Sequence, residues 1–334
     1  MITSLRAVPI LAVALTLSAC SDARAPENST PADTPERATE ALVPAEREIT
    51  AGALAGTHLD AGADTPVVLI VPGSGPTDRD GNSPMGVSTA SYAKLAAGLA
   101  ERGVSSVRVD KRGMFGSSEA GDPNAVSVDI YAADYRSWID TIRAETGADC
   151  VFLAGHSEGG LMVSAAAQGR DDVCGVIYLA APGRTGFDIL REQLRANPAN
   201  RPILGEALGY IDQLERGEGV DVADAHPALK GLFAPQVQDF MMDAFAADPA
   251  AMAGALDVPV LVVQGEHDIQ VSMDDAQALQ AATGGRLVRV PGVNHVLVEA
   301  PGDRMRNMMT YRDPNAPISP AVVDAVAAFV RGTP

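Results

Sequence analysis

Between positions 151 and 167 the chain runs Val-Phe-Leu-Ala-Gly-His-Ser-Glu-Gly-Gly-Leu-Met-Val-Ser-Ala-Ala-Ala. An apolar run short enough for one buried parallel strand is followed at once by Gly-x-Ser-x-Gly, and then by small residues suited to a tightly packed helix. Strand, sharp turn, helix is a nucleophile elbow. Such a turn forces Ser157 into a strained backbone conformation, so Gly155 and Gly159 are expected to lack side chains because neighbouring backbone crowds the serine. The Ser157 hydroxyl would then stand at the carboxyl end of the strand, above the start of a helix.

The flanking sequence supplies a sheet for that strand. Residues 66–71 form a continuous β-branched run bounded by prolines, an amphipathic helix is expected over 91–102 with Gly103 closing it, and residues 104–109 give the next strand. A second helix spans 125–145 before Gly147, and residues 176–180 form the strand after the elbow helix. Strand alternating with helix predicts an α/β fold with a mostly parallel, doubly wound sheet. Residues 48–60 have the look of an opening hairpin, while 258–265 and 286–290 close the series of strands. Between Gly183 and that closing pair, residues 185–256 are helical in period and hold no convincing strand. They are expected to form a helical lid inserted before the penultimate strand, lying over the carboxyl ends of the sheet. Its apolar residues, among them Leu190, Leu208, Phe233 and Met241, are read as the lid's own core before any acyl pocket. At 334 residues, 46% hydrophobic and 20% charged, the chain has material for a sizeable core.

The formal net charge of −18 argues against a phosphate-backbone partner, and 4% aromatic residues with one Trp leave little for sugar- or base-stacking platforms. The amino terminus reads as an export signal: Arg6 provides a positive start, residues 9–17 an apolar stretch too short to span a membrane, and Leu17-Ser18-Ala19-Cys20 a cleavage site. Leu-Ser-Ala-Cys resembles the lipobox of bacterial lipoproteins. That resemblance implies that Cys20 becomes the first mature residue and carries lipid, with an ordinary secretory signal as the alternative. It also implies that Ser21, standing where Asp would favour inner-membrane retention, directs the protein to the outer membrane. Residues 21–46 are rich in Pro, Ala, Thr, Glu, Asp and Ser without apolar periodicity and read as a flexible tether. The expected organisation is therefore a signal peptide over 1–19, a tether over 20–46, a core formed by 47–183 with 255–334, and a lid over 184–254.

Cys150 begins the elbow strand and Cys174 opens the next. Adjacent strands bring such positions within disulfide range, and an exported protein meets an oxidising compartment, so a Cys150–Cys174 bridge is expected, with two buried free thiols as the alternative. With Cys20 lipidated, no cysteine remains for catalysis or metal binding.

Three chemistries compete for the glycine-rich loop over residues 72–82. A phosphate cradle lacks the Gly-Lys-Ser/Thr ending, and a calcium loop has only the beginning of its ligand pattern in Asp78 and Asp80. Backbone N–H groups stabilising an oxyanion is the third reading. Asp78, Arg79 and Asp80 read first as a loop brace and second as substrate contacts. Asp268 follows the strand at 258–265, with Glu266 as its rival, and His295 follows the last strand. Of the five histidines, His58 falls in the hairpin, His226 in the lid, His156 within the elbow, and His267 beside the acid, which leaves His295 as the base.

On these residues the body from Ile49 to Gly332 resembles the α/β-hydrolase superfamily. Gly73-Ser74-Gly75-Pro76-Thr77-Asp78-Arg79-Asp80-Gly81-Asn82, Gly155-His156-Ser157-Glu158-Gly159-Gly160 and Gln264-Gly265-Glu266-His267-Asp268-Ile269-Gln270-Val271 are similar to a bacterial group of carboxylesterases placed alongside serine aminopeptidase-like hydrolases. The resemblance implies an α/β-hydrolase fold and a Ser157–Asp268–His295 triad in the chain order of that fold. It further implies oxyanion donors at the N–H of Ser74 or Gly75 and of Glu158, and activity on short acyl esters without metal or cofactor. Peptidase or acyl-peptide activity is the alternative within enzymes. A catalytically silent envelope binding protein on the same scaffold is the alternative outside them. Expected partners are a small ester substrate and a membrane reached through the lipid; the oligomeric state is not readable from the sequence.

Overall fold

The computed structural model describes residues 45–332. The signal, Cys20 and nearly all of the tether lie outside the described residues. Strands β1 (Ala45–Ala51) and β2 (Leu54–Asp60) form an antiparallel hairpin, and β3 (Val67–Val71) starts the parallel series. Helix α1 (Ser91–Ala100), β4 (Ser105–Val109), α2 (Val128–Thr146), β5 (Val151–His156), α3 (Gly159–Ala167) and β6 (Val173–Leu179) follow in strict alternation. Then come five helices without a strand: α4 (Gly186–Ala196), α5 (Leu204–Glu215), α6 (Pro227–Leu232), α7 (Pro235–Ala244) and α8 (Pro249–Gly254). The chain closes with β7 (Val260–Gly265), α9 (Met273–Thr283), β8 (Arg286–Val290), α10 (Arg304–Thr310) and α11 (Pro320–Val330).

The eight strands lie in one sheet in the order β1-β2-β4-β3-β5-β6-β7-β8, antiparallel at the β1 and β2 edge and parallel from β4 onward. This is the α/β-hydrolase fold, with the helical insertion before the penultimate strand. Every residue of β3, β4 and β7 is buried, as a strand covered on both faces requires. On one face Trp138, Ile142, Leu161, Ala166 and Leu279 join α2, α3 and α9 to the sheet. On the other, Tyr92, Leu95, Leu99, Val322 and Val326 do the same for α1 and α11. Because β3 to β8 run the same way, the loops after them emerge at a single rim, which is where ligand chemistry sits in open α/β sheets.

The insertion has its own core, with Phe187, Leu194, Ile211, Phe233 and Met241 buried together. Arg184, at its entry, reaches the fully buried Asp275 of α9 through Nε at 2.9 Å and Nη2 at 2.8 Å. Strand β1 begins at Ala45, inside the stretch expected to be tether up to residue 46. Its solvent-facing residues mask the apolar period, and it is held by pairing with β2 and by the Glu46–Arg108 contact at 3.0 Å. Cys150 and Cys174 are disulfide-bonded with Cα atoms 5.3 Å apart, at the rim opposite the elbow. Among the described residues no helix is long and apolar enough to cross a membrane.

Candidate active site

Strand β5 ends at His156, α3 begins at Gly159, and Ser157 between them has φ of +52°. A non-glycine residue in that region costs about 1–3 kcal/mol and persists only where its surroundings dictate it. They do so here: a Cβ on Gly155 would stand 2.3 Å from the Gly159 carbonyl oxygen, and one on Gly159 would stand 2.7 Å from that of Val71. The Ser157 N–H donates to the Leu179 carbonyl of β6 at 2.9 Å, which fixes the turn to the neighbouring strand.

The loops after β7 and β8 bring the other two residues together. His295 Nδ1 and Asp268 Oδ2 are 2.9 Å apart, with both side chains almost wholly buried. Asp268 is itself over-determined. Its Oδ1 accepts from the N–H groups of Gln270 at 2.7 Å and Val271 at 3.0 Å, and its Oδ2 also accepts from Gln264 Nε2 at 3.2 Å. Carboxylate oxygens engaged this way can only accept, so His295 carries a proton on Nδ1. Among the described residues no hydrogen bond links the Ser157 hydroxyl to that ring; in unliganded enzymes such contacts commonly close only when substrate binds. The base loop nonetheless abuts the elbow, since the rings of His156 and His295 lie 4.8 Å apart.

The family model described as Serine aminopeptidase, S33 matches residues 85–300, well over half of the chain. The chain belongs to this hydrolase family. Esterase EstD of Thermotoga maritima is 26% identical over 266 residues, a match covering 77% of this chain and 61% of EstD. The chain thus spans about three fifths of that relative's length. Among solved structures, Est1E from Butyrivibrio proteoclasticus aligns with a TM-score of 0.52 at 18% identity, over 86% of this chain and 99% of that one. The Pyrococcus furiosus esterase Pf2001 aligns with a TM-score of 0.51 at 14% identity, over 76% of this chain and 84% of that one. At such identities these two establish a common fold.

In this S33-family chain the rival candidates are engaged in other contacts. Glu266 is paired with Arg289 at 3.0 Å on the surface. His267 donates Nδ1–H to the Ala300 carbonyl at 2.6 Å, and His226 Nδ1 caps α6 by accepting from Ala228 N–H at 3.2 Å. The loop after β3 lies against the elbow, where a Cβ on Gly73 would meet that of Ser157 at 3.0 Å. The Gly73 N–H is taken by the Tyr92 hydroxyl at 3.1 Å, so the next donor along the loop is that of Ser74. Glu158, the residue after Ser157, caps the start of α3. Beneath them the buried Lys111 ammonium donates to the Gly73 carbonyl at 2.7 Å. Burial pushes the Lys111 ammonium down and the Glu158 carboxyl up, and each partly offsets the other's shift.

Asp78, Arg79 and Asp80 form a brace. Arg79 binds Asp110 through Nε at 2.9 Å and Glu48 through Nη1 at 2.7 Å, and Asp80 meets Arg108 at 3.2 Å. A charged cavity of about 600 Å³ adjoins this brace, lined by Glu48, Arg79, Arg108 and Phe115 among others and not by Ser157. Sequence reasoning missed Gln264, Tyr92, Asn294 and Asn307. Only Gln264 carried a signal, as a polar side chain ending an otherwise apolar buried strand. Asn307 Nδ2 donates to the His267 carbonyl at 2.7 Å, and its Oδ1 accepts from Asn294 Nδ2 at 3.1 Å, contacts visible only once α10 is placed.

Proposed function

We propose that this chain is a carboxylesterase-type serine hydrolase that cleaves esters of small or medium acyl chain through an acyl-enzyme. The observation that carries the reading is the His295–Asp268 bond at 2.9 Å, set at the same sheet rim as the strained serine. His295 Nε2 takes the Ser157 proton as the serine oxygen attacks the ester carbonyl, while Asp268 holds the imidazole in that tautomer and stabilises its charged form. The N–H groups of Ser74 and Glu158 receive the tetrahedral oxyanion, each such donor contributing about 3 kcal/mol. The imidazolium protonates the leaving alcohol, and water, activated by the same base, then releases the acid. EstD, an esterase by name, supports the ester over the amide as substrate. The helical insertion would act as the lid that shapes the acyl site.

Its test is labelling by a fluorophosphonate of wild type beside Ser157→Ala, followed by turnover of p-nitrophenyl butyrate and aminoacyl anilides. Labelling confined to wild type, with faster ester turnover, is expected. No labelling would end the serine-hydrolase reading, and faster anilide turnover would make it a peptidase. The cellular proposal is that Cys20 anchors the protein by lipid to the envelope, with the outer membrane favoured. Cys20→Ala should then move the protein from the membrane to the soluble fraction.

A further inference from the structure

His156 sits between the two halves of the candidate machinery and touches both. The Gly73 N–H donates to the Tyr92 hydroxyl at 3.1 Å, Tyr92 Oη lies 2.7 Å from His156 Nδ1, and His156 Nε2 lies 2.8 Å from the His295 carbonyl oxygen. A carbonyl oxygen can only accept, so His156 Nε2 must carry a proton. If Nδ1 carried one too, the ring would be an imidazolium; burial, with His295 adding to it, pushes its pKa down to about 3 and keeps it neutral. His156 Nδ1 is therefore the acceptor and Tyr92 O–H the donor. The run has one direction throughout, from Gly73 N–H through Tyr92 and His156 to the His295 carbonyl. Tyr92 and His156 are both buried and pack edge to face, with ring centroids 5.4 Å apart.

We propose that Tyr92 and His156 are positioning residues that fix the oxyanion loop and the base loop at their working distance from Ser157. Each loop leaves a different strand and has its own local ties, Lys111 on the Gly73 carbonyl and Asp268 on the His295 ring, while the Tyr92–His156 run joins one loop to the other. His156 is bonded covalently to Ser157, hydrogen-bonded to the backbone of His295, and linked through Tyr92 to the residue preceding Ser74. One buried side chain thus refers both the base and an oxyanion donor to the nucleophile. The inference rests on the serine-hydrolase reading given above.

The test is Tyr92→Phe, which keeps the ring and deletes the donor, compared with Tyr178→Phe. Tyr178 is a buried core tyrosine of β6 that shares a 2.6 Å hydrogen bond with Ser164 of α3 and has no hydrogen bond to Gly73, His156 or His295 among the described residues. Active sites are counted by fluorophosphonate titration, and kcat and KM on p-nitrophenyl butyrate are measured beside the thermal midpoint. Misplacement of reacting groups by about 1 Å can cost on the order of a hundredfold in rate. Tyr92→Phe is expected to lower kcat by about tenfold to a hundredfold with KM within about twofold, and to slow phosphonylation in step. Tyr178→Phe should lower the thermal midpoint and leave kcat unchanged. Wild-type kcat per titrated site in Tyr92→Phe, or a loss no larger than in Tyr178→Phe, overturns the proposal alone. Wild type that neither takes the probe nor turns over ester overturns the hydrolase reading and this inference with it.

Discussion

Replacing Asp268 with Asn should leave the fold almost untouched and remove nearly all activity, for a reason that can be traced bond by bond. All four partners of the Asp268 carboxylate are donors: two backbone N–H groups on Oδ1, and Gln264 Nε2 and His295 Nδ1 on Oδ2. Asparagine has a single acceptor oxygen, which the two backbone donors claim. Its amide nitrogen then confronts Gln264 and His295. Gln264 keeps its amide as it stands, because Nε2 also donates to the Val271 carbonyl at 3.1 Å and to that of Gly265 at 3.3 Å, and it gives up only its 3.2 Å bond to residue 268. His295 can answer only by moving its proton from Nδ1 to Nε2, so that Nδ1 accepts. The nitrogen facing the serine then carries a hydrogen and cannot take another. Wrong-tautomer substitutions of this type lower kcat by about 10⁴, which corresponds to about 5 kcal/mol of transition-state stabilisation. Steady-state turnover of p-nitrophenyl butyrate, normalised by active-site titration and read beside the thermal midpoint, measures both halves of the claim. Retention of more than about a tenth of kcat, far above the wrong-tautomer expectation, would refute the tautomer argument. So would an equal loss in Glu266→Gln, whose parent side chain is engaged with Arg289.

Two further outcomes follow from the scaffold. The disulfide joins positions 24 apart, so its loss is expected to cost up to about 3.5 kcal/mol of stability through loop-closure entropy. Because it lies at the opposite rim, Cys150→Ser with Cys174→Ser should lower the urea midpoint and leave kcat unchanged. Burial pushes the Asp275 carboxyl up, but hydrogen bonds from Arg184 and Ser272 outweigh it and hold the group below the ordinary carboxylate range. A folded-state value below the unfolded one means that the contribution is complete above about pH 4 and is lost as pH falls through the folded value. Urea midpoints measured against pH should therefore fall more steeply below about pH 4 in wild type than in Asp275→Asn. The two curves should converge in strong acid.

The parallel strands could be read in the sequence because burial on both faces leaves only apolar residues to choose from, as in Val67-Val68-Leu69-Ile70-Val71. The elbow could be read because two backbone crowding distances permit nothing but glycine at 155 and 159. Local pattern ended there. Strand β1 hides its period behind Glu46, Arg47 and Glu48, which face solvent or Arg79 and Arg108. Helices α10 and α11 went unplaced, although Val322, Val323 and Val326 of α11 complete one face of the core. The candidate acid and base were found from their places after β7 and β8. What ties them to their neighbours was not found, because Tyr92 and Asn307 are far from the site in sequence and ordinary in type.

Those ties share a chemical character that bears on how the site can work. The chain carries an excess of acidic side chains and uses ion pairs freely around its sheet edge and insertion, as at Arg79, Arg184 and Arg191. Apart from Asp268, the side chains hydrogen-bonded to Asn294 and His295 are neutral. Asn294 and Asn307 join the base loop to the acid loop by amide hydrogen bonds, and His156 is an uncharged ring bonded to a carbonyl. An imidazole that must gain and lose a proton in each turnover responds to every nearby charge, and in a buried setting that response is large. Neutral groups fix distance without adding to the field. Among the described residues Asp268 is the charged side chain hydrogen-bonded to the ring, where in the proposed mechanism it would stabilise the imidazolium that forms during attack. These neutral hydrogen bonds hold the ring against Asp268 without setting a second charge beside it.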